Sequence, residues 1–305
     1  MIGRAWAAAF ARGGMSVAIW SRREATSRAA LEFVRQCLPL LEAEGLLGGR
    51  SAAELSDLVE VCSSLESAVK GASYVQENYP EDMETKRAIY ATLDAACAPE
   101  TIIASSASAL PASAFTEALA GRGRCIVAHP VNPPYLIPAT EVVPAPWTTQ
   151  ESVKKTCEIL SDAGQVPVVM SREIDGFVVN RLQGALLNEA FRLVGEGYVG
   201  IEDIDVAIKN GLALRWSFMG PFETIDLNAP GGVRDYVSRY DGLYNNLLSQ
   251  MQGKSQWLGD VLDRIEASRR AQLPLDAHVE RQAWRDRRLM ALAAHKMEDD
   301  ERIGR

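Results

Sequence analysis

CIVAHPVNPPYLIPATEVVP, from Cys125 to Pro144, reads as two short apolar strands around a proline-rich reversal. The first strand runs from Cys125 to His129 and the second from Thr140 to Val143. Between them stand Pro130, Pro133, Pro134 and Pro138. Proline has no N–H to give a sheet ladder, so the cluster marks the turn. His129 ends the first strand and Glu141 lies on the second, so the fold can bring imidazole and carboxylate together. A carboxylate on one ring nitrogen fixes the tautomer and leaves the other nitrogen free to take a proton. The same two residues would also suit a buried histidine satisfied by a neighbouring acid, since structural ion pairs perturb titration too.

Upstream, strand and helix patterns alternate. Gly3 to Arg12 reads as a helix whose Ala7, Ala8, Ala9 and Ala11 allow close packing on a sheet, and Gly13 and Gly14 end it. Met15 to Trp20 (MSVAIW) is an uncharged strand, as a strand covered on both faces requires. A long helix follows from Glu24 to about Gly45, with Pro39 expected to kink or split it. Leu58 to Cys62, Ser73 to Glu77 and Thr101 to Ser105 then read as strands. Leu65 to Gly71, Asp82 to Cys97 and Pro111 to Ala120 read as helices. That order predicts an α/β fold, with a doubly wound, mostly parallel Rossmann-like sheet over residues 1–172.

Such a sheet binds a dinucleotide where its first strand meets its first helix, through G-x-G-x-x-G. This chain opens Met1-Ile2-Gly3 directly into the helix. Gly3 fits the third glycine, while the first strand and the first two glycines are not present. At the tip of the next strand, where a NAD site usually places an acid on the ribose hydroxyls, stand Ser21, Arg22 and Arg23. Two cations where a 2′-phosphate would lie favour NADP over NAD. The plain alternative is a solvated basic helix start, although arginine at a helix N-terminus opposes the dipole.

Downstream of a strand-like QVPVVM (Gln165 to Met170), residues 173–305 read as an all-helical domain. Asp175-Gly176 opens a helix to about Gly195, with Phe177, Leu182, Leu186, Ala190 and Leu193 spaced as one core stripe. Further helices are expected at Ile201 to Lys209, from Gly220 through Tyr244 with a break at Pro230-Gly231-Gly232, at Gln256 to Gln272, and at Ala277 to Lys296. The charged tail MEDDERIGR is expected to fray. Arg215 sits in the otherwise apolar LALRWSFMGP. It suits either two-pronged binding of a substrate carboxylate or an ion pair with a nearby acid such as Glu223.

The 305 residues suit two domains of ordinary size. A net charge of −8 argues against nucleic acid or an anionic membrane as partner. No apolar run approaches the ~20 residues that a membrane span needs. AWAAAFA near the start is too short for a signal-peptide core and is closed by Arg12. Five scattered cysteines without metal-ligand spacing read as reduced, mostly buried thiols of a cytoplasmic protein.

With these residues in hand, the chain resembles the 3-hydroxyacyl-CoA dehydrogenase family, in its lambda-crystallin / L-gulonate 3-dehydrogenase branch. The resemblance rests on IGRAWA from Ile2, QENYPEDMETKR from Gln76, ASSASAL from Ala104 and AHPVNPP from Ala128. EIDGFVVNRLQ from Glu173, GLALRWSFMGPFET from Gly211 and HVERQAWRDRRL from His278 extend it over nearly the whole chain. It implies His129 as catalytic base and Glu141 as its partner. It implies Ser108 and Asn180 as the residues that bond the reacting oxygen, and Glu81 and Lys86 along the nicotinamide-ribose side of the cofactor cleft. Ser108 follows a strand end, the rim where open parallel sheets bind ligands. A site completed by Asn180 from a second domain could close over its substrate. A homodimer through the helical domain is expected.

Two departures matter. Family members have an acid where Ser21 stands, so their usual preference for NAD is in question here. They also have a first strand and full glycine loop, so Met1 is expected to be an internal methionine of a longer chain. The reading is then an NAD(P)-dependent 3-hydroxy-acid dehydrogenase acting on an L-gulonate-like or short hydroxy acid. The competing readings are a 3-hydroxyacyl-CoA dehydrogenase and a non-catalytic, crystallin-like binding or structural protein.

Overall fold

A computed structural model of the chain describes residues 2–251, 253–255 and 257–304. The described residues hold seven strands: β1 (Val17–Ile19), β2 (Val59–Val61), β3 (Tyr74–Glu77), β4 (Ile102–Ser105), β5 (Cys125–Pro130), β6 (Ala139–Pro144) and β7 (Val166–Val169). The fold is a Rossmann-like, mostly parallel sheet followed by helices, but the sheet stands in two pieces. β1 pairs with β2, and the other five run in the order β3-β4-β5-β6-β7. Among the described residues no strand joins the two pieces. Every pairing is parallel except β5 with β6, the two strands that flank the proline reversal.

Strands β4 and β5 are buried along their whole length, which accounts for their uncharged sequences. The helix Ile2–Arg12 supplies part of the cover, with Ala5, Trp6, Ala7, Ala8, Ala9, Phe10 and Ala11 all buried. At its end a Cβ on Gly13 would lie 2.7 Å from the Ala163 backbone, so only glycine allows that approach. Pro39 neither ends nor divides its helix, which runs unbroken as Glu24–Ala43. Val34, Leu38 and Leu41 on that helix are wholly buried, and their packing outweighs the single hydrogen bond that proline removes. A helix not anticipated from the sequence, Gln150–Asp162, precedes β7; Thr149 caps it by accepting from the Ser152 N–H.

The chain divides into two compact units, Met1–Asn180 with Glu280–Arg305, and Arg181–Val279. This cut differs from the division expected at 172/173. Asn180 belongs to the first unit, and so does the final helix, His278–Ile303, from Glu280 onward. The cause is packing. Met290 is buried in the sheet's apolar core with Leu289, Ala293 and Ala294 against it, and the Tyr135 hydroxyl donates to Asp286 at 2.9 Å. Within the charged tail, that helix continues to Ile303.

The second unit holds Ile201–Ala207, Pro221–Leu227, Gly232–Met251 and Asp260–Gln272 among its helices. The expected break at 230–232 is where Gly232–Met251 begins. The helix start expected at Gln256 falls on a residue outside those described. All five cysteines are free. Burial pushes the Cys37 and Cys125 thiols up to about 12, so neither is poised to react at neutral pH.

Candidate active site

The site begins with strand register. In the antiparallel β5–β6 pair His129 stands directly opposite Glu141. Opposed side chains share one face of the sheet, and here Nδ1 of His129 lies 2.6 Å from Oε2 of Glu141. Glu141 is fully buried and His129 is 9% exposed. The other oxygen, Oε1, accepts from the backbone N–H groups of Val178 at 2.6 Å and Val179 at 2.8 Å. Those two groups stand at the start of the helix Val179–Gly195, where unpaired N–H groups favour an anion. Each of these partners can donate to Glu141, which fits a carboxylate. The Nδ1 of His129 then holds its hydrogen and Nε2 is left to take up a proton.

A second cluster fixes the loop that follows β4. Oε1 of Glu81 accepts from the N–H groups of Ser108 at 2.9 Å, Ala109 at 2.6 Å and Leu110 at 2.9 Å. Its Oε2 accepts from the Ser108 hydroxyl at 2.7 Å. Burial pushes the Glu81 carboxyl up, but the Ser108 hydroxyl and the backbone N–H bonds outweigh it and hold the group below the usual glutamate value. Asn180 donates its amide to the Ser108 carbonyl at 2.8 Å, so the structure brings Ser108 and Asn180 together. The Ser108 proton is given to Glu81, however. The second N–H of Asn180 is therefore the readier donor to a reacting oxygen, and Ser108 must turn from Glu81 to join it.

Lys86 is a correction. The resemblance places it along the cofactor cleft, but it is only 1% exposed. Its Nζ donates to Glu77 at 2.6 Å and to Ser105 at 3.1 Å, locking β3, β4 and the helix Met83–Ala96 together. A buried charge needs such a partner, and the pairing leaves the ammonium no path to a ligand. Sequence reasoning also missed a polar network on the neighbouring strands. Gln76 donates to Ser106 Oγ at 2.6 Å, Ser106 donates to Asn78 at 2.8 Å, and the Trp6 indole donates to Ser106 at 3.0 Å. No local pattern announces it, because its members are 2 to 100 residues apart and meet only in the folded sheet.

The residues expected to hold a dinucleotide lie at the ends of β1 and β3. A Cβ on Gly3 would come within 3.3 Å of the Asn78 side chain, so the helix start is held close to the strand end. Ser21 is half-buried while Arg22 and Arg23 are exposed. Arg22 extends over the Tyr79 ring at 5.1 Å, so it is directed at the end of β3. Gly3 and Arg22 thus lie against the end of β3, by Asn78 and Tyr79, whereas Glu81 is bound to the loop after β4 and Lys86 is buried.

Within the second unit, Arg215 lines an apolar groove of about 580 Å³ with Ala207, Gly211, Leu212, Leu214 and Phe218. Its Nε is buried and has no hydrogen-bond partner among the described residues, so a pair with Glu223 is not formed at that atom. Among the described residues no helix is long and apolar enough to cross a membrane, and no group of His, Cys, Asp and Glu is arranged to hold a metal ion.

Residues 1–174 match the NAD-binding domain of 3-hydroxyacyl-CoA dehydrogenases, and residues 176–270 match their C-terminal domain. The lambda-crystallin homologue of Homo sapiens is 39% identical over 299 residues, 97% of this chain and 93% of its own. L-carnitine dehydrogenase of a Pseudomonas species is 36% identical over 79% of this chain and 74% of its own. Among solved structures, 5-formyl-3-hydroxy-2-methylpyridine 4-carboxylic acid 5-dehydrogenase, an NAD+-dependent dismutase, superposes with a TM-score of 0.81 at 26% identity. That likeness covers 96% of this chain and 94% of the other. The chain belongs to the 3-hydroxyacyl-CoA dehydrogenase family and is an oxidoreductase of that family, similar over nearly its whole length to lambda-crystallin homologues.

Proposed function

We propose that the protein oxidises a free 3-hydroxy acid, of the L-gulonate or short hydroxy-acid kind, to the 3-keto acid. The observation that carries this reading is the buried pair in which Glu141 binds Nδ1 of His129 at 2.6 Å while two N–H groups fix its other oxygen. His129 Nε2 takes the hydroxyl proton, and Glu141 stabilises the imidazolium that results. The second N–H of Asn180, with Ser108 once it turns from Glu81, holds the developing carbonyl oxygen. The chemistry supplied by a bound nicotinamide dinucleotide is hydride acceptance. Arg22 and Arg23 favour the 2′-phosphate of NADP, for want of an acid at Ser21.

The free acid is favoured over the thioester by Arg215, which lines an apolar groove and whose buried Nε has no hydrogen-bond partner among the described residues. A carboxylate would satisfy it, and a CoA thioester has none at that position. A homodimer through the helical unit completes the reading. The helix Gly232–Met251 has no buried residue. It exposes Val237, Tyr240, Leu243, Tyr244, Leu247 and Leu248, a larger apolar stripe than a lone chain ordinarily leaves in water.

Side-by-side kinetics with L-gulonate, L-carnitine and 3-hydroxybutyryl-CoA, each with NAD+ and NADP+, test the proposal. Turnover of a free acid, faster with NADP+, is expected. Turnover of the thioester alone would overturn the substrate assignment, and equal or better use of NAD+ would overturn the cofactor preference.

A further inference from the structure

Phe177 stands apart from the rest of the core. It is wholly buried, yet its φ is +50°, in the left-handed region that bulky residues avoid. Gly176 before it has φ +74°, and the Phe177 N–H closes the turn onto the Ile174 carbonyl at 3.1 Å. A residue needed only to fill apolar space could do so from an ordinary helical or extended backbone. The left-handed turn has a different consequence: the next two N–H groups, of Val178 and Val179, are the ones that bind Oε1 of Glu141. The ring, meanwhile, lies 5.7 Å from the imidazole of His129 at a tilt of 52°. It shares an apolar cluster with Val127 and Val143, which pair across β5 and β6 two residues from His129 and Glu141. Residues two apart on a strand face the same side, so Phe177 covers the face of the sheet on which the pair sits.

We infer that Phe177 is a positioning residue for the pair, its ring holding the plane of the His129 imidazole and its strained backbone aiming two N–H groups at Glu141. This rests on the role proposed above for His129. A side chain that only filled the core would affect stability; one that positions the imidazole also governs its tautomer and its alignment with the proton it removes.

The test is Phe177→Leu, which keeps an apolar side chain of similar bulk and removes the ring. The chain has three histidines, so 15N spectra of histidine-labelled protein are simple, and His129→Gln identifies the His129 signals. Wild type is expected to show well-separated Nδ1 and Nε2 signals for His129, the mark of one tautomer. In Phe177→Leu the two should move together. Turnover of L-gulonate or 3-hydroxybutyryl-CoA should fall roughly 10–100-fold, with binding of NADPH or NADH little changed. In a Glu141→Gln background the same substitution should cost less than about 3-fold, because residues acting through one pair are not additive. Unchanged His129 signals, or a full 10–100-fold further loss in the Glu141→Gln background, would overturn the inference. If Phe177→Leu does not fold, Phe177→Met, whose flexible chain can refill the space, takes the same measurements. His129→Gln with normal turnover would instead sink the proposed catalytic role, and the His129 signals alone would then decide whether Phe177 sets the imidazole.

Discussion

The two compact units bury their residues in opposite ways. In Met1–Asn180 with Glu280–Arg305, strands β4 and β5 are sealed, and Ile103, Ile126, Val142 and Leu160 have no exposure at all. In Arg181–Val279, the 20-residue helix Gly232–Met251 buries nothing, and Phe222 on a neighbouring helix is 78% exposed. The first unit therefore holds the His129–Glu141 geometry by its own packing, as a preorganised site requires. The second has little core, and the Nε of its Arg215 is buried with no hydrogen-bond partner among the described residues; a second copy is proposed to cover its exposed apolar surface.

The largest expected effect falls in the first unit. His129→Gln should lower turnover ~10²–10⁴-fold while cofactor affinity measured by fluorescence titration holds. Turnover near normal would return the pair to a structural role and erase the contrast between the units. Next comes Arg215→Met, which should raise KM for a free hydroxy acid roughly 10–150-fold, the equivalent of a charge-assisted bond of about 1.5–3 kcal/mol, and leave any thioester activity untouched. An equal loss on both substrates would show that Arg215 serves the fold.

Smaller and different in kind is the response of the helical surface. Leu243→Asp with Leu247→Asp should convert a dimer to a monomer in light scattering and lower the melting temperature. A wild-type monomer at micromolar concentration would contradict the assignment of that stripe to a second copy. Smallest is a pH effect at Glu81. Its folded pKa is depressed, so the order it gives to Ser108, Ala109 and Leu110 is fully present above the usual glutamate value of about 4.3 and is lost as pH falls through the lower folded value. Hydrogen exchange at the Ala109 and Leu110 amides should speed up in that acid window and in Glu81→Gln at any pH. Protection that ignores both would remove Glu81 as the clamp of the loop.

How much of this was legible differs by residue. The β5–β6 hairpin could be read because apolar runs and prolines are local signals, and with it the meeting of His129 and Glu141. The partners of Glu141 on its far side could not, since Val178 and Val179 lie 37 and 38 residues away and arrive by tertiary folding. The stripe that begins at Phe177 reads as a helical core from spacing alone. In the structure Phe177 precedes the helix in a left-handed turn, and Leu182 is 67% exposed. Periodicity reports which face is apolar and is silent on what covers it. Lys86 fails for a similar reason. Nothing near it in METKR announces that Glu77, on the strand before, takes its charge.

The central claim is that His129 and Glu141 act as one unit, and a double-mutant cycle on turnover tests it most directly. His129→Gln, Glu141→Gln and the double variant are compared under saturating cofactor, with folding checked by circular dichroism. The account predicts that the double variant is no slower than His129→Gln alone, because without the imidazole there is no charge for Glu141 to stabilise. Losses that multiply would mean that the two residues act separately, and would contradict it.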